Sequence, residues 1–168
     1  MDWLGPVNTL MGAGIGVGAT LLADRLRWRR EREALRQDTR RQAYASFMAA
    51  LSEAYTRLHV IAREGGGAEE AGRAAHEAFA SSRVYSLRYE LALIAPWEVM
   101  EPTNQAFWKV RDLRDLVATG TTPEDPAFGE HIRAYLAAAE SAQTAMRRDL
   151  GTPWPDRDGG PRSPGAAT

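Results

Sequence analysis

The longest uncharged segment is the feature that most constrains the fold. Residues 3–23 carry no charged side chain, and a helix of that length spans roughly 31 Å at about 1.5 Å per residue, close to the ~30 Å hydrocarbon thickness of a bilayer. Trp3 and Trp28 lie near its two ends, where membrane interfaces favour amphipathic rings. The segment predicts a transmembrane anchor over residues 1–23.

The charges on either side of this segment predict its orientation. Only Asp2 precedes it, whereas a run of arginines follows it. Cytoplasmic flanks of membrane helices are rich in Arg and Lys, so we expect a single-pass protein of the bacterial inner membrane, with its amino terminus outside and its carboxyl-terminal domain in the cytoplasm. The residues that we expect to set topology and to contact anionic lipid are Arg25, Arg27, Arg29, Arg30 and Arg32. Topology alone, without a lipid ligand, is the alternative.

Glycines inside the segment suggest self-association. Gly12 and Gly16, like Gly14 and Gly18, are four residues apart, and small residues at this spacing allow a second helix to approach closely. We therefore predict a homodimer through these glycines and a coiled-coil stalk. The alternative is that glycine is simply common in membrane helices.

The same glycines also fit a loose dinucleotide-binding fingerprint. Gly14, Gly16 and Ala19 have the required spacing, and Asp38 lies about where the ribose-binding carboxylate would fall. Dinucleotide binding by such a fingerprint needs a preceding strand and a parallel sheet. Every long segment after residue 24 has helical periodicity instead, so the anchor is the better interpretation.

The rest of the chain predicts an all-α fold. Mixed charges over residues 24–41 are typical of a solvated, Arg-rich stalk helix. Apolar residues then recur at helical spacing in four segments, which end or begin at 65-GGG-67, Pro96, Gly120 and an Asp125-Pro126 cap. We expect a cytosolic antiparallel four-helix bundle over residues 42–150, with one helix over 68–95, and a disordered tail over 151–168. In the fourth helix the expected buried face is Phe128, Ile132, Tyr135, Leu136, Ala139, Ala142 and Met146.

Residues that could carry chemistry do not form a known motif. The chain has no cysteine, which excludes thiolate catalysis and Cys-based metal sites. His59, His76 and His131 fall on three different predicted helices, but none has the glutamate three positions earlier that di-iron bundles require. We predict no catalytic residue, no metal and no cofactor.

The interaction candidates are aromatic. Trp97 and Trp108 lie near a Pro junction and Trp154 lies in a Pro-rich tail, where exposed rings can anchor a protein partner. Nucleic acid is not expected, because 21 basic residues are offset by 22 acidic ones and the densest arginines lie against the bilayer.

Two segments, 40-RRQAYASFMAALSEAY-55 and 91-LALIAP-96, resemble a broad class of small single-pass membrane proteins of GC-rich bacteria, actinobacteria in particular. The resemblance implies the architecture of residues 3–150 but no activity. We therefore expect a membrane-anchored helical interaction or scaffolding protein without catalytic activity. The alternatives are a membrane-tethered helical-bundle enzyme or small-ligand sensor, and a phage- or envelope-associated lysis or stress component.

Overall fold

A computed structural model describes residues 4–152, with side chains described for residue 28 and residues 32–152. Within these residues the chain is all-α and contains no strand, as the sequence predicts. The helices are α1 (Leu4–Glu64), α2 (Ala68–Ser81), α3 (Val84–Ala92), α4 (Trp97–Val117) and α5 (Pro126–Asp149). The chain divides into two units, Met1–Thr39 and Arg40–Thr168.

Most of the described side chains of the first unit belong to a polar stretch of α1. Its side chains from Arg32 to Thr39 are all exposed, and a surface ion pair joins Arg36 Nη1 to Glu33 Oε2 at 3.9 Å. No helix in the described part of the chain is both long and apolar enough to cross a lipid bilayer. The predicted anchor, residues 3–23, lies outside the residues whose side chains are described, as does the predicted tail beyond Thr152.

Helix ends in the second unit follow local chemistry. α1 stops at Glu64, before the glycine triplet, and Gly65 takes a φ of +66° that suits a residue without a Cβ. At the start of α5, the Asp125 carboxylate accepts a hydrogen bond of 2.8 Å from the Ala127 amide, and Pro126 occupies the first helical position. Both ends confirm the sequence predictions.

The single helix predicted over 68–95 is wrong, because the chain breaks it into α2 and α3. The Ser82 hydroxyl donates to the Phe79 carbonyl at 2.7 Å, and Arg83 adopts a left-handed backbone with φ 60°. Serine side chains that bond their own backbone compete with helical hydrogen bonds. The break turns α3 separately onto α4, where the candidate site lies.

The bundle is antiparallel, and α5 packs along the second half of α1. At one end the Tyr44 hydroxyl donates to Asp149 Oδ2 at 2.7 Å. Further along, the Tyr135 ring stacks on Tyr55 with centroids 4.8 Å apart, and its hydroxyl lies 3.4 Å from the Leu51 carbonyl. Burial, followed by the neighbouring Tyr55, raises the pKa of Tyr135 to about 12. These contacts fix the register of the two helices.

The core contains most of the apolar residues that the helical periodicity selects. The largest fully buried side chains are Phe47, Phe107, Leu51, Leu58, Leu91, Leu113, Val84, Val99, Val110, Val117 and Thr103. Leu136 is a wrong prediction, since 51% of it is exposed. It neighbours the buried Tyr135 in sequence and therefore points about 100° away around the helix.

Candidate functional site

The structure describes only a small part of the predicted anchor sites. The predicted helix-association residues (Gly12, Gly14, Gly16, Gly18) and four predicted lipid-contacting residues (Arg25, Arg27, Arg29, Arg30) fall outside the described side chains. Arg32 is described: it is exposed, and its guanidinium carbon lies 6.0 Å from the Trp28 ring centroid. These site assignments stay predictions.

The three histidines lie on α1, α2 and α5 and each has a local contact. His76 Nδ1 lies 2.8 Å from the Gly72 carbonyl and His131 Nδ1 lies 2.9 Å from the Ala127 carbonyl, each one turn back on its own helix. The His59 ring packs edge-on against Phe128, with centroids 5.6 Å apart. Among the described residues, no group of three or more His, Asp or Glu side chains is placed to hold a metal ion.

An open groove runs between the start of α4 and the end of α5, with a volume of about 600 Å³. Its charged lining is mainly acidic, with Glu98 and Glu101 on α4 and Glu140 on α5, against Arg148. Gln105 donates to Glu101 Oε1 at 3.1 Å. The groove is wide, and its lining mixes charged and polar side chains with apolar ones such as Pro102 and Ala145.

A surface on α3 and α4 combines exposed aromatic rings with arginines. We call it the aromatic–arginine surface; it consists of Tyr85, Arg88, Tyr89, Trp108 and Arg111. Tyr89 is 63% exposed, Trp108 42% and Tyr85 40%. Monomeric proteins rarely leave several large rings in contact with water at one place, so such a group marks an interaction site.

Buried Phe107 supports this surface from below. Its ring meets Tyr85 edge-on with centroids 4.8 Å apart and Trp108 with centroids 5.1 Å apart. On its other side it packs 6.0 Å from Phe79, in the core. The rings of Tyr85 and Trp108 are therefore held in place by the packed interior, which reduces the entropy lost when a partner binds.

The two arginines of the surface are held by rings. The guanidinium carbon of Arg88 lies 5.0 Å from the Phe107 centroid, 5.6 Å from Tyr89 and 5.7 Å from Trp108. Arg111 lies 5.0 Å from the Trp108 centroid. Such cation–π contacts contribute about 0.5–1 kcal/mol each at exposed sites and position the cations beside the rings.

No carboxylate with a described side chain neutralises the charges of these two arginines. Among the residues with described side chains, neither Arg88 nor Arg111 forms an ion pair with a carboxylate. The nearby acids have other partners: Asp112 pairs with Lys109 at 3.5 Å, and Asp115 pairs with Arg114. The surface thus presents positive charge next to apolar ring faces.

The sequence indicated part of this surface. Trp108 was a predicted anchor because of its type, and Trp97, the second candidate, is 68% exposed at the start of α4. Trp154 lies outside the described residues. The tyrosines and arginines were missed, because only the break at Arg83 brings α3 against Trp108. The spacing of Tyr85, Arg88 and Tyr89, which places them along one side of a helix, was the available signal.

The chain was compared with protein-family models, with curated proteins and with solved structures, and none of the three comparisons finds a match.

Proposed function

We propose that the protein is a membrane-anchored, non-catalytic helical interaction protein, which binds a protein partner through the aromatic–arginine surface. Residues 1–23 would hold it in the bacterial inner membrane and residues 40–152 would lie in the cytoplasm. The proposal rests on one observation. The exposed rings of Tyr89 and Trp108 lie beside two arginines that have no carboxylate partner in the part of the chain that the structure describes.

The composition of this surface supports protein binding. Residues that dominate the energy of protein interfaces are enriched in Trp, Tyr and Arg, and these are the three residue types present. The buried support from Phe107 supplies the rigidity of a preformed site. No bond-making chemistry is required of any of these side chains.

The anchor part of the proposal rests on sequence. The uncharged residues 3–23 match a bilayer in length, and Arg25, Arg27, Arg29, Arg30 and Arg32 would face anionic headgroups on the cytoplasmic side. Self-association through Gly12, Gly14, Gly16 and Gly18 would double the number of surfaces per assembly.

Site-specific crosslinking in native membranes tests the proposal. The chain has no cysteine, so a cysteine introduced at an exposed serine is a unique attachment point for a photo-crosslinker. Ser86→Cys places the cysteine beside the aromatic–arginine surface. Ser52→Cys, at an exposed position of α1, is the matched control. We expect an adduct from position 86 that is absent from position 52 and is lost when Trp108→Ala is added.

Two results would contradict the proposal. Equal adducts from both positions, unaffected by Trp108→Ala, would show that the aromatic–arginine surface does not bind the partner. Recovery of the full chain in the soluble fraction after cell breakage without detergent would remove the anchor, and deletion of residues 1–23 serves as the soluble control.

The alternative of a small-ligand sensor would use the groove between α4 and α5, whose excess of carboxylates suits a small organic cation. A diamine should then raise the melting temperature, and an uncharged diol of equal length should not. No change with the diamine would contradict this alternative.

A further inference from the structure

We propose that the partner segment bound by the aromatic–arginine surface is an acidic peptide that carries aromatic or aliphatic side chains next to its carboxylates. This inference rests on the proposed function and adds the chemical class of the partner. It is carried by the positions of Arg88 and Arg111 and by the exposed rings beside them.

One donor of the Arg88 guanidinium is already engaged within the fold. Its Nε donates to Asn104 Oδ1 at 2.7 Å, which uses the donor on the inner edge. The two terminal amino groups keep their donors, and no acceptor in the described residues is assigned to them. A carboxylate matches such a pair of parallel N–H groups and binds it in a bidentate manner.

Arg111 supplies a second cation close to the first. Both guanidinium carbons lie within 6 Å of the Trp108 ring centroid, Arg88 at 5.7 Å and Arg111 at 5.0 Å. The two charges are therefore at most about 11 Å apart, a span that two acidic residues of one short peptide can bridge at about 3.4 Å per extended residue. The Arg111 Nε is buried and has no hydrogen-bond partner among the described residues.

The rings explain why an apolar side chain should accompany the carboxylates. Trp108 lies within 6 Å of both arginines, and the exposed rings of Tyr89 and Tyr85 belong to α3. In an extended peptide the side chains two residues apart project from the same face. Carboxylates that bind at the arginines therefore bring the side chain two residues away over these rings. Burial of that side chain removes apolar area from water on both partners.

The acids around the surface disfavour nucleic acid. Glu90, Glu101, Asp112 and Asp115 are exposed on the same two helices, and a phosphate backbone needs several neighbouring cations to release its counterions. The two helices carry four basic side chains, Arg88, Lys109, Arg111 and Arg114, and five acidic ones, because Glu98 lies on α4 as well. These mixed charges favour a short peptide with separate charges over a continuous polyanion.

The test measures binding of defined probes to the full chain in nonionic detergent micelles. The first probe is a fluorescein-labelled peptide, Gly-Ser-Glu-Gly-Trp-Gly-Glu-Gly-Ser, in which both Glu residues and the Trp project from one face of an extended chain. The second probe has Gln in place of both Glu residues, and the third is a labelled single-stranded oligonucleotide. Fluorescence anisotropy at low salt gives the affinities. We expect the Glu peptide to bind about tenfold more tightly than the Gln peptide, as charge-assisted contacts of this kind provide.

Variants assign the effect to the surface. Arg88→Gln and Arg111→Gln should each weaken Glu-peptide binding about fivefold to tenfold and leave the Gln peptide unchanged. Arg88→Lys keeps the charge and loses the paired donors, so it should recover only part of the affinity. Arg133→Gln, at an exposed arginine of α5, is the matched control and should leave both affinities unchanged.

The outcomes distinguish this inference from the proposed function on which it rests. If both peptides bind equally and Trp108→Ala abolishes both, the surface binds partners through its rings and the acidic assignment is overturned. Tighter binding of the oligonucleotide than of the Glu peptide would also overturn it. If the crosslink from position 86 fails as well, the proposed function itself falls.

Discussion

Removal of one buried hydroxyl should measure how strongly α1 is tied to α5. Tyr44 is 3% exposed and its hydroxyl donates at 2.7 Å to Asp149, whose side chain is 15% exposed and lies 3.6 Å from Arg40 Nη1. Tyr44→Phe keeps the ring and leaves this carboxylate with only the longer contact to Arg40. Hydrogen bonds to charged groups contribute about 1.5–3 kcal/mol, so we expect the free energy of unfolding to fall by about 2 kcal/mol at neutral pH.

The pH dependence of this difference provides a second check. Burial, and then the hydrogen bond to Asp149, raise the pKa of Tyr44 well above its ordinary value of 10.0. The folded chain therefore keeps the phenolic proton after the unfolded chain has lost it. The contribution of Tyr44 is complete below about pH 10 and is lost as pH rises further, by at most about 1.4 kcal/mol per pH unit. The difference between wild type and Tyr44→Phe should shrink over that range.

Urea unfolding followed by far-ultraviolet circular dichroism, on the full chain in nonionic detergent, measures both effects. Tyr89→Phe is the matched control, because it deletes the same atom from a ring that is 63% exposed, and its effect should stay below about 0.5 kcal/mol. An effect of Tyr44→Phe no larger than that of Tyr89→Phe, or a difference that does not change with pH, would refute the reasoning.

Three further changes test the packing and the helix ends by the same unfolding measurement. Phe107→Ala empties a fully buried site beneath the aromatic–arginine surface and should cost about 3–5 kcal/mol; a cost below 1 kcal/mol would contradict the assigned core. Asp125→Ala removes the cap of α5 and should cost about 1 kcal/mol, whereas Asp125→Asn should cost little. Gly129→Ala lies inside α5, with only the end of Arg133 near the new methyl group, and should stabilise the fold by about 0.5–1 kcal/mol. Gly120→Ala lies at φ +82° and should destabilise the fold by about 1–2 kcal/mol. Equal effects at the two glycines would contradict both assignments.

Local signals predicted the helix ends that depend on a few adjacent residues. The glycine triplet after Glu64 and the Asp125-Pro126 cap act through backbone freedom and one short hydrogen bond, so their effect is visible in sequence. The break at Arg83 was missed. Ser81 and Ser82 weaken the helix locally. The left-handed backbone of Arg83 is favoured because it lets Tyr85 of α3 pack against Phe107 of α4.

Periodicity predicted which residues are apolar and face inward, and it failed where two apolar neighbours compete. Tyr135 and Leu136 are adjacent, and helical geometry allows only one of them to face α1. Tyr135 occupies the core, where it stacks on Tyr55, and Leu136 is exposed. The sequence pattern alone does not rank such pairs, because the choice depends on the shape of the opposite helix.

Two properties of this chain are determined by the sequence by itself: its helical class and the predicted bilayer-length apolar segment at residues 3–23. Both depend on local composition and spacing, which need no tertiary contact to act. The aromatic–arginine surface is a product of tertiary structure. Arg88 and Trp108 are twenty positions apart in the chain, and their guanidinium and ring come within 5.7 Å because α3 folds back along α4. The arginines and the exposed rings therefore share one face only in the folded bundle.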